Sequence, residues 1–191
     1  MSTGDRGDYS ESFIGGVDMK IYIESGHDGV EEGAIIGEVR EKIINKQIAE
    51  KICIILKGLG YIVMLGEGSI KSVRVDQANS LEYDLFVSVH CNSFKNNKVD
   101  GIETYSRKSG KKAYKLAQHI QEKLIENTQA VDRGVKLEDF FILRSTNMPS
   151  VLVECGFLSN FFEREILKRL DYQWVLADSI ATGIINYMKE V

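Results

Sequence analysis

Residues that bind transition metals stand at the ends of several predicted strands. His27 follows a short strand with the sequence KIYIES, His90 follows the apolar run LFVSV, and Glu154 closes the run VLVE. Because functional groups in open α/β sheets collect beyond the carboxyl ends of the strands, we expect these side chains to lie close together. Glu41, at the start of the first long helix and just past a glycine-rich loop, is a fourth candidate for the same cluster.

This combination of residue types suits a catalytic zinc site. Two imidazoles and one carboxylate occupy three positions of a tetrahedral zinc ion and leave the fourth open for water. A further carboxylate can serve as a general base. Each residue also has an ordinary interpretation: strand-end histidines are often solvated, Glu41 would complement the helix dipole, and Glu154 would need only a buried partner. Residue types and positions favour a zinc hydrolase but leave these alternatives open.

The elements that must position these residues alternate from residue 19 onwards. Short apolar runs predict strands over residues 20–25, 61–65, 85–89, 101–105, 140–143 and 150–154. Apolar residues three and four apart predict helices over residues 44–59, 69–82, 111–126 and 172–188, with Ser69 as a cap of the second. Strands separated by helices in this way predict a single-domain α/β/α fold in three layers, with a central, mostly parallel (mixed) sheet of about six strands.

Composition places the chain among ordinary globular proteins. It has 191 residues, of which 43% are apolar and 27% charged, which excludes disordered and fibrous classes. No apolar run approaches the roughly 20 residues of a membrane span. The Gly/Ser/Asp-rich residues 1–18 carry a charge of −3 out of a total of −4, so the remainder is close to neutral and predicts no nucleic-acid partner. We expect residues 1–18 to be a disordered extension or cloning scar and residues 19–191 to be the folded domain.

The chain has three cysteines, Cys53, Cys91 and Cys155. An odd and small number of cysteines does not make a disulfide framework. Two of them directly follow His90 and Glu154, and neighbouring residues of a strand point to opposite faces of the sheet. We therefore expect these two thiols to be buried away from the candidate site.

Five short motifs occur in order along residues 19–191. They are ESGHDG (24–29), EKIIN (41–45), SVHCN (88–92), RGVK (133–136) and MPSVLVECGFLSN (148–160). In this order they resemble the motifs of the zinc-dependent N-acetylmuramoyl-L-alanine amidases of the Amidase_3 family, which occur in cell-wall hydrolases and phage endolysins. Glu24 departs from the aspartate that is usual in the first motif of that family.

The resemblance implies a fold, a metal and a reaction. Zinc, one ion per chain, would be held by His27, Glu41 and His90, and Glu154 would be the catalytic carboxylate. The bond cleaved would be the amide between the lactyl group of N-acetylmuramic acid and L-alanine of the peptidoglycan stem peptide. Glu154 would take a proton from water and return it to the leaving nitrogen.

Three further residues of these motifs have two interpretations each. Asn92 and Arg133 are candidate substrate contacts, but Asn92 would also suit a turn cap and Arg133 a surface charge. Glu24 would either orient His27 from behind the metal or be a solvated strand end.

Two other functions use the same residues. A zinc amino- or carboxypeptidase on a similar scaffold would need the same metal ligands. A non-catalytic module that binds wall polymer would be expected to lack a ligand or the base, and all four residues are present. The amidase interpretation predicts peptidoglycan as the partner, no membrane partner, and a monomer.

The opening residues also bear on where the protein acts. They lack the basic and apolar segments of a secretory signal. We therefore expect a protein that acts on the bacterial cell wall after release by lysis, as a phage lysin or mother-cell enzyme does, or a domain of a longer exported protein.

Overall fold

The computed structural model describes residues 19–27, 29, 31–66 and 70–191. The strands are β1 (Lys20–Ser25), β2 (Ile35–Ile36), β3 (Val39–Arg40), β4 (Ile62–Gly66), β5 (Leu85–Asn92), β6 (Ile102–Ser106), β7 (Asp132–Leu137) and β8 (Ser150–Phe157). The helices are α1 (Glu41–Gly58), α2 (Lys71–Ser80), α3 (Lys111–Thr128), α4 (Phe141–Ser145), α5 (Phe161–Leu167) and α6 (Leu170–Met188).

Six of the strands form one mixed sheet in the order β4-β1-β5-β8-β6-β7. The first four of these are parallel to one another, β6 is antiparallel to β8, and β7 is parallel to β6. Strands β2 and β3 form a separate two-stranded antiparallel pair just before α1. The predicted mostly parallel sheet of about six strands, flanked by helices, is confirmed.

One face of the sheet carries the larger hydrophobic core. Ile23, Val87 and Val153 point to this face and are completely buried. They belong to one cluster with the apolar stripes of α1, α3 and α6, which explains the three- and four-residue spacing of those stripes.

The opposite face changes character along the strands. Tyr22, Phe86 and Leu152 pack there against apolar residues of α2 and α4. Two positions further along each strand, on the same face, the sequence has Glu24, Ser88 and Glu154 in their place. The carboxyl-terminal half of this face is therefore polar, and the candidate residues lie on it or at its edge.

The prediction for residues 140–143 was wrong. This segment belongs to the short helix α4, in which the consecutive residues Ile142 and Leu143 are buried while Phe141 is exposed. The sixth strand is instead β7, which lies at the edge of the sheet. None of its six residues is fully buried, so it lacks the apolar pattern that the other strands show.

The other predicted elements are present with small shifts at their ends. Helix α2 is the largest change, since it covers ten residues and not the fourteen from 69 to 82. The predicted cap Ser69 and the predicted extension 1–18 lie outside the described residues. Among the helices that the structure describes, none is long and apolar enough to cross a bilayer.

Candidate active site

His27, Glu41 and His90 form a cluster of potential metal ligands. One nitrogen or oxygen atom from each lies within 4.8 Å of the others. The Glu41 carboxylate lies between the two rings, with Oε2 3.4 Å from His27 Nε2 and Oε1 3.1 Å from His90 Nδ1. The two imidazoles meet edge to face, with ring centroids 5.0 Å apart. The structure thus brings together three residues that are 63 positions apart at most in the sequence.

Parallel pairing places the two histidines at the same edge of the sheet. In the β1–β5 register Ser25 is opposite Val89, so His27 and His90 come just after paired positions. Two small residues allow the side chains to approach. A Cβ at Gly26 would lie 2.2 Å from the His90 ring, and one at Gly33, where φ is +67°, would lie 2.5 Å from the Glu41 carboxylate.

Glu41 is fixed by donors on both of its oxygens. The amide of Asn45, one turn later in α1, donates to Oε1 at 3.1 Å and also to the carbonyl of Gly26 at 2.9 Å. The backbone N–H of Cys91 donates to Oε1 at 3.3 Å, and that of Ala34 donates to Oε2 at 2.9 Å. Sequence reasoning assigned no role to Asn45, although its position four residues after Glu41 puts it on the same face of the helix.

The electrostatics of Glu41 and His27 suit metal ligation, whereas the carboxylates around His90 favour its protonated form. Burial opposes ionisation of Glu41, but the hydrogen bond from His90 and the backbone donors outweigh it and lower its pKa to about 2. Burial lowers the pKa of His27, which favours the neutral imidazole that binds metals. Burial acts in the same direction on His90, but its hydrogen bond to Glu41 and the neighbouring carboxylates raise its pKa. Two imidazole nitrogens and one ionised carboxylate are a donor set that zinc accepts.

Glu154 lies beside this cluster on the next strand. It is the register partner of His90 in the parallel β5–β8 pair. Its Oε2 is buried and has no hydrogen-bond partner among the described residues. Burial, reinforced by the charges of Glu41 and Glu103 and opposed by His90, raises its pKa to about 7. A carboxylate with such a pKa can both accept and return a proton near neutral pH.

The two cysteines next to these residues point to the other side of the sheet. Cys91 and Cys155 are each 1% exposed and belong to the hydrophobic core on the α1, α3 and α6 face. Cys53 of α1 is buried in the same core. All three are free thiols, as predicted.

Glu24 is the buried partner of an ion pair. It is 1% exposed, so the interpretation as a solvated strand end was wrong. Its Oε1 accepts a hydrogen bond of 2.7 Å from Nε of the equally buried Arg74, and its Oε2 accepts one from the Ser88 hydroxyl. Because Glu24 points to the face that α2 covers, Arg74 of α2 is its ion-pair partner. A role of Glu24 in orienting His27 stays a prediction.

Asn92 and Arg133 converge on a carboxylate that sequence reasoning missed. Asn92 Nδ2 lies 2.9 Å from Oε1 of Glu103, and Arg133 Nε lies 2.6 Å from its Oε2. Glu103 is 2% exposed and is the register partner of Glu154 in the antiparallel β6–β8 pair. Arg133 is therefore not an isolated surface charge. The only signal for Glu103 in the sequence was a carboxylate inside a short apolar strand.

Comparisons with known proteins agree with this geometry. A family model described as N-acetylmuramoyl-L-alanine amidase (Amidase_3) matches residues 21–186. The chain is 36% identical to the uncharacterised protein YqiI of Bacillus subtilis, over 87% of this chain and 84% of that protein. It is 33% identical to the N-acetylmuramoyl-L-alanine amidase LytC of the same organism, over 88% of this chain but 35% of LytC.

A solved structure shares the whole architecture. The crystal structure of an N-acetylmuramoyl-L-alanine amidase from Clostridium difficile 630 superposes with a TM-score of 0.86 at 32% identity, covering 90% of this chain and 97% of that one. With the fold, the His-Glu-His cluster and the family match in agreement, the chain belongs to the Amidase_3 family of N-acetylmuramoyl-L-alanine amidases.

Proposed function

We propose that this protein hydrolyses the amide bond between N-acetylmuramic acid and L-alanine of peptidoglycan, with one zinc ion held by His27, Glu41 and His90. The observation that carries the proposal is the cluster of these three residues next to a buried carboxylate oxygen of Glu154 that has no partner among the described residues. Family membership supports the same reaction.

Glu154 acts as the general base and then as the general acid. When bound, zinc would supply a Lewis acid that makes a water more acidic and polarises the amide carbonyl. Glu154 takes a proton from the attacking water as the new C–O bond forms. It then gives this proton to the nitrogen of L-alanine as the C–N bond breaks, so that a neutral amine leaves. A pKa of about 7 suits both transfers.

The surrounding residues keep the ligands in place. Asn45 and the backbone N–H groups hold Glu41 in one orientation, so little reorganisation is needed when metal binds. Glu24 lies on β1, which His27 follows, and Ser88 lies on β5, which carries His90; Arg74 of α2 and Ser88 both donate to the Glu24 carboxylate. We assign to these groups a positioning role, with no contact to the substrate.

The proposal also assigns the activity to one part of the chain. Residues 19–191 form the catalytic domain, residues 1–18 are dispensable, and the domain acts on the bacterial cell wall as a monomer. The core formed by α1, α3 and α6 supports a self-sufficient domain, since it is continuous from β4 to β7.

The test is a comparison of two substrates. Purified peptidoglycan should yield new L-alanine amino termini without new reducing sugar ends, and the free stem peptide should remain intact. A strong chelator should abolish the activity, and zinc should restore it. Cleavage of the free stem peptide would identify a peptidase instead, and full activity of metal-free protein would refute the zinc assignment.

A further inference from the structure

Glu103 collects four hydrogen-bond donors in the polar half of the sheet face. Oε1 accepts from Asn92 Nδ2 at 2.9 Å and from the Tyr105 hydroxyl at 2.6 Å. Oε2 accepts from Arg133 Nε at 2.6 Å and from Lys136 Nζ. Each carboxylate oxygen thus accepts two hydrogen bonds. The bonds from Lys136, Tyr105 and Arg133 lower the pKa of Glu103 and outweigh burial, which raises it.

Two cations bind the single carboxylate of Glu103. Arg133 and Lys136 both form an ion pair with its Oε2. The side chains of Arg133 and Lys136 remain 31% and 36% exposed, so part of each faces solvent. Arg133 uses two of its five N–H donors in the described contacts, and an ammonium group has three donors.

Both cations are held in fixed positions. The Arg133 guanidinium lies over the ring of Phe157, 4.9 Å from its centroid, and donates to the carbonyl of Asp100 at 3.3 Å. Lys136 Nζ lies 5.7 Å from the centroid of the Tyr105 ring. Side chains ordered in advance lose little conformational entropy when they bind a ligand.

The strand register places these charges next to Glu154, on the side away from the metal ligands. Glu103 on β6 is opposite Glu154, and Lys136 on β7 is opposite Tyr105 of β6. Strand β7, which carries both cations, lies two strand spacings of about 4.8 Å from β8, and the ion pairs with Glu103 bring the charged groups back over β6. Two residues of an extended peptide span about 7 Å, which is long enough for the second residue after a bond cleaved at Glu154 to approach them.

We propose that Arg133 and Lys136 form a subsite for a free carboxylate on the residue that follows L-alanine in the stem peptide. This inference rests on the proposed amidase function and adds a preference among its substrates. Glu103 orients both cations, and their remaining N–H donors bind the free carboxylate of the peptide. An amide at that position has no negative charge to pair with them.

The experiment uses two synthetic disaccharide-peptide substrates that differ in one group. The carboxyl of the residue after L-alanine is free in one and a primary amide in the other. The wild-type enzyme should have a kcat/KM about tenfold or more higher for the free acid, mainly through a lower KM. A tenfold difference is at the low end of what a hydrogen bond between charged groups contributes.

Substitutions of Lys136 separate the charge from the fold. Lys136→Met should reduce the ratio of kcat/KM for the acid to that for the amide to about twofold or less, whereas Lys136→Arg should keep most of it. Lys112→Met, the same change at an exposed position of α3, is the matched control and should keep the wild-type ratio. Melting temperature and zinc content report whether each variant is folded.

Two results would overturn the subsite. The first is equal kcat/KM of the wild-type enzyme for the two substrates, and the second is an equal loss on both substrates in Lys136→Met. The proposed function fails separately: in that case neither synthetic substrate nor polymeric peptidoglycan yields L-alanine amino termini.

Discussion

His90 and Glu154 are register partners on the adjacent parallel strands β5 and β8, yet they have opposite hydrogen-bonding states. His90 Nδ1 lies 3.1 Å from Glu41, whereas Glu154 Oε2 has no partner among the described residues. A single strand spacing of about 4.8 Å therefore separates a ring held by a hydrogen bond from a carboxylate oxygen that has no such partner. Because Glu41 is bonded to His90 whereas Glu154 has this unbonded oxygen, we expect different consequences when the two glutamates are changed.

Glu154→Gln should remove catalysis and leave the metal. Glutamine keeps the size and polarity of the side chain but cannot take a proton from water, so activity should fall by about 10²–10⁴-fold or more. Zinc content and melting temperature should stay at the wild-type values. In Glu41→Gln the ligand itself is weakened, so zinc should be lost and excess zinc should partly restore activity. A metal-free Glu154→Gln protein that excess zinc rescues would show that Glu154 is a ligand.

The convergence of His27, His90 and Glu154 was predictable from a simple rule. Parallel strands end at one edge of the sheet, and each of these residues follows or closes an apolar strand. The spatial neighbours of those strands were not predictable from chain order. Strand β6 runs antiparallel between β8 and β7, and only this arrangement places Glu103 beside Glu154. Arg74 was missed for a related reason, since burial of an arginine shows in the sequence only once its carboxylate partner is known.

Helices and strands were likewise predictable where the local sequence pattern is clear and were missed where tertiary packing decides the conformation. Strands with a continuous apolar, buried run were found, and the edge strand β7 was missed because it has no such run. The sequence of α4 has the same short apolar run as a strand, and its helical conformation depends on tertiary packing of Ile142 and Leu143 against the sheet.

Asn45→Ala should weaken zinc binding through Glu41. The substitution removes one of the donors to Glu41 Oε1 and the hydrogen bond to the Gly26 carbonyl, and loss of such supporting bonds typically costs about 10–100-fold in metal affinity. Asn79→Ala in α2 is the matched control, because Asn79 bonds only backbone groups of the α4 region in the described structure. It should lower the melting temperature without changing the zinc dissociation constant. Equal zinc affinity in Asn45→Ala and wild type would contradict the positioning role.

The three thiols should be unreactive in the folded protein. Burial raises the pKa of Cys53 to about 11 and those of Cys91 and Cys155 further, so almost no thiolate is present at pH 8. Titration with a chromogenic disulfide should detect no fast thiol in the native protein and all three in denaturant. Rapid reaction of one native thiol would show that a segment covering it opens readily.

Deletion of residues 1–18 should leave the domain unchanged. The hydrophobic cores of the described residues begin at residue 19, so we expect the free energy of unfolding to change by less than about 0.5 kcal/mol. Chemical denaturation of both chains, with kcat/KM on peptidoglycan, measures the effect. A clear loss in either quantity would mean that the opening residues contribute to the domain.

Gly26→Ala tests whether close packing around His90 is required for metal binding. A Cβ at this position would lie 2.2 to 2.5 Å from three atoms of the His90 ring, so the ring must shift from its position beside Glu41. We expect zinc affinity and activity to fall by at least tenfold, with a melting temperature reduced only modestly because the hydrophobic cores are untouched. Gly58→Ala is the matched control, since a Cβ there meets nothing within 4 Å and alanine is favoured over glycine in a helix. Isothermal titration with zinc and thermal unfolding of the two variants distinguish the effects. If Gly26→Ala binds zinc as tightly as Gly58→Ala does, the His90 ring can shift without loss of zinc affinity. The contact between His90 and Glu41 would then not be required to hold the three candidate ligands together.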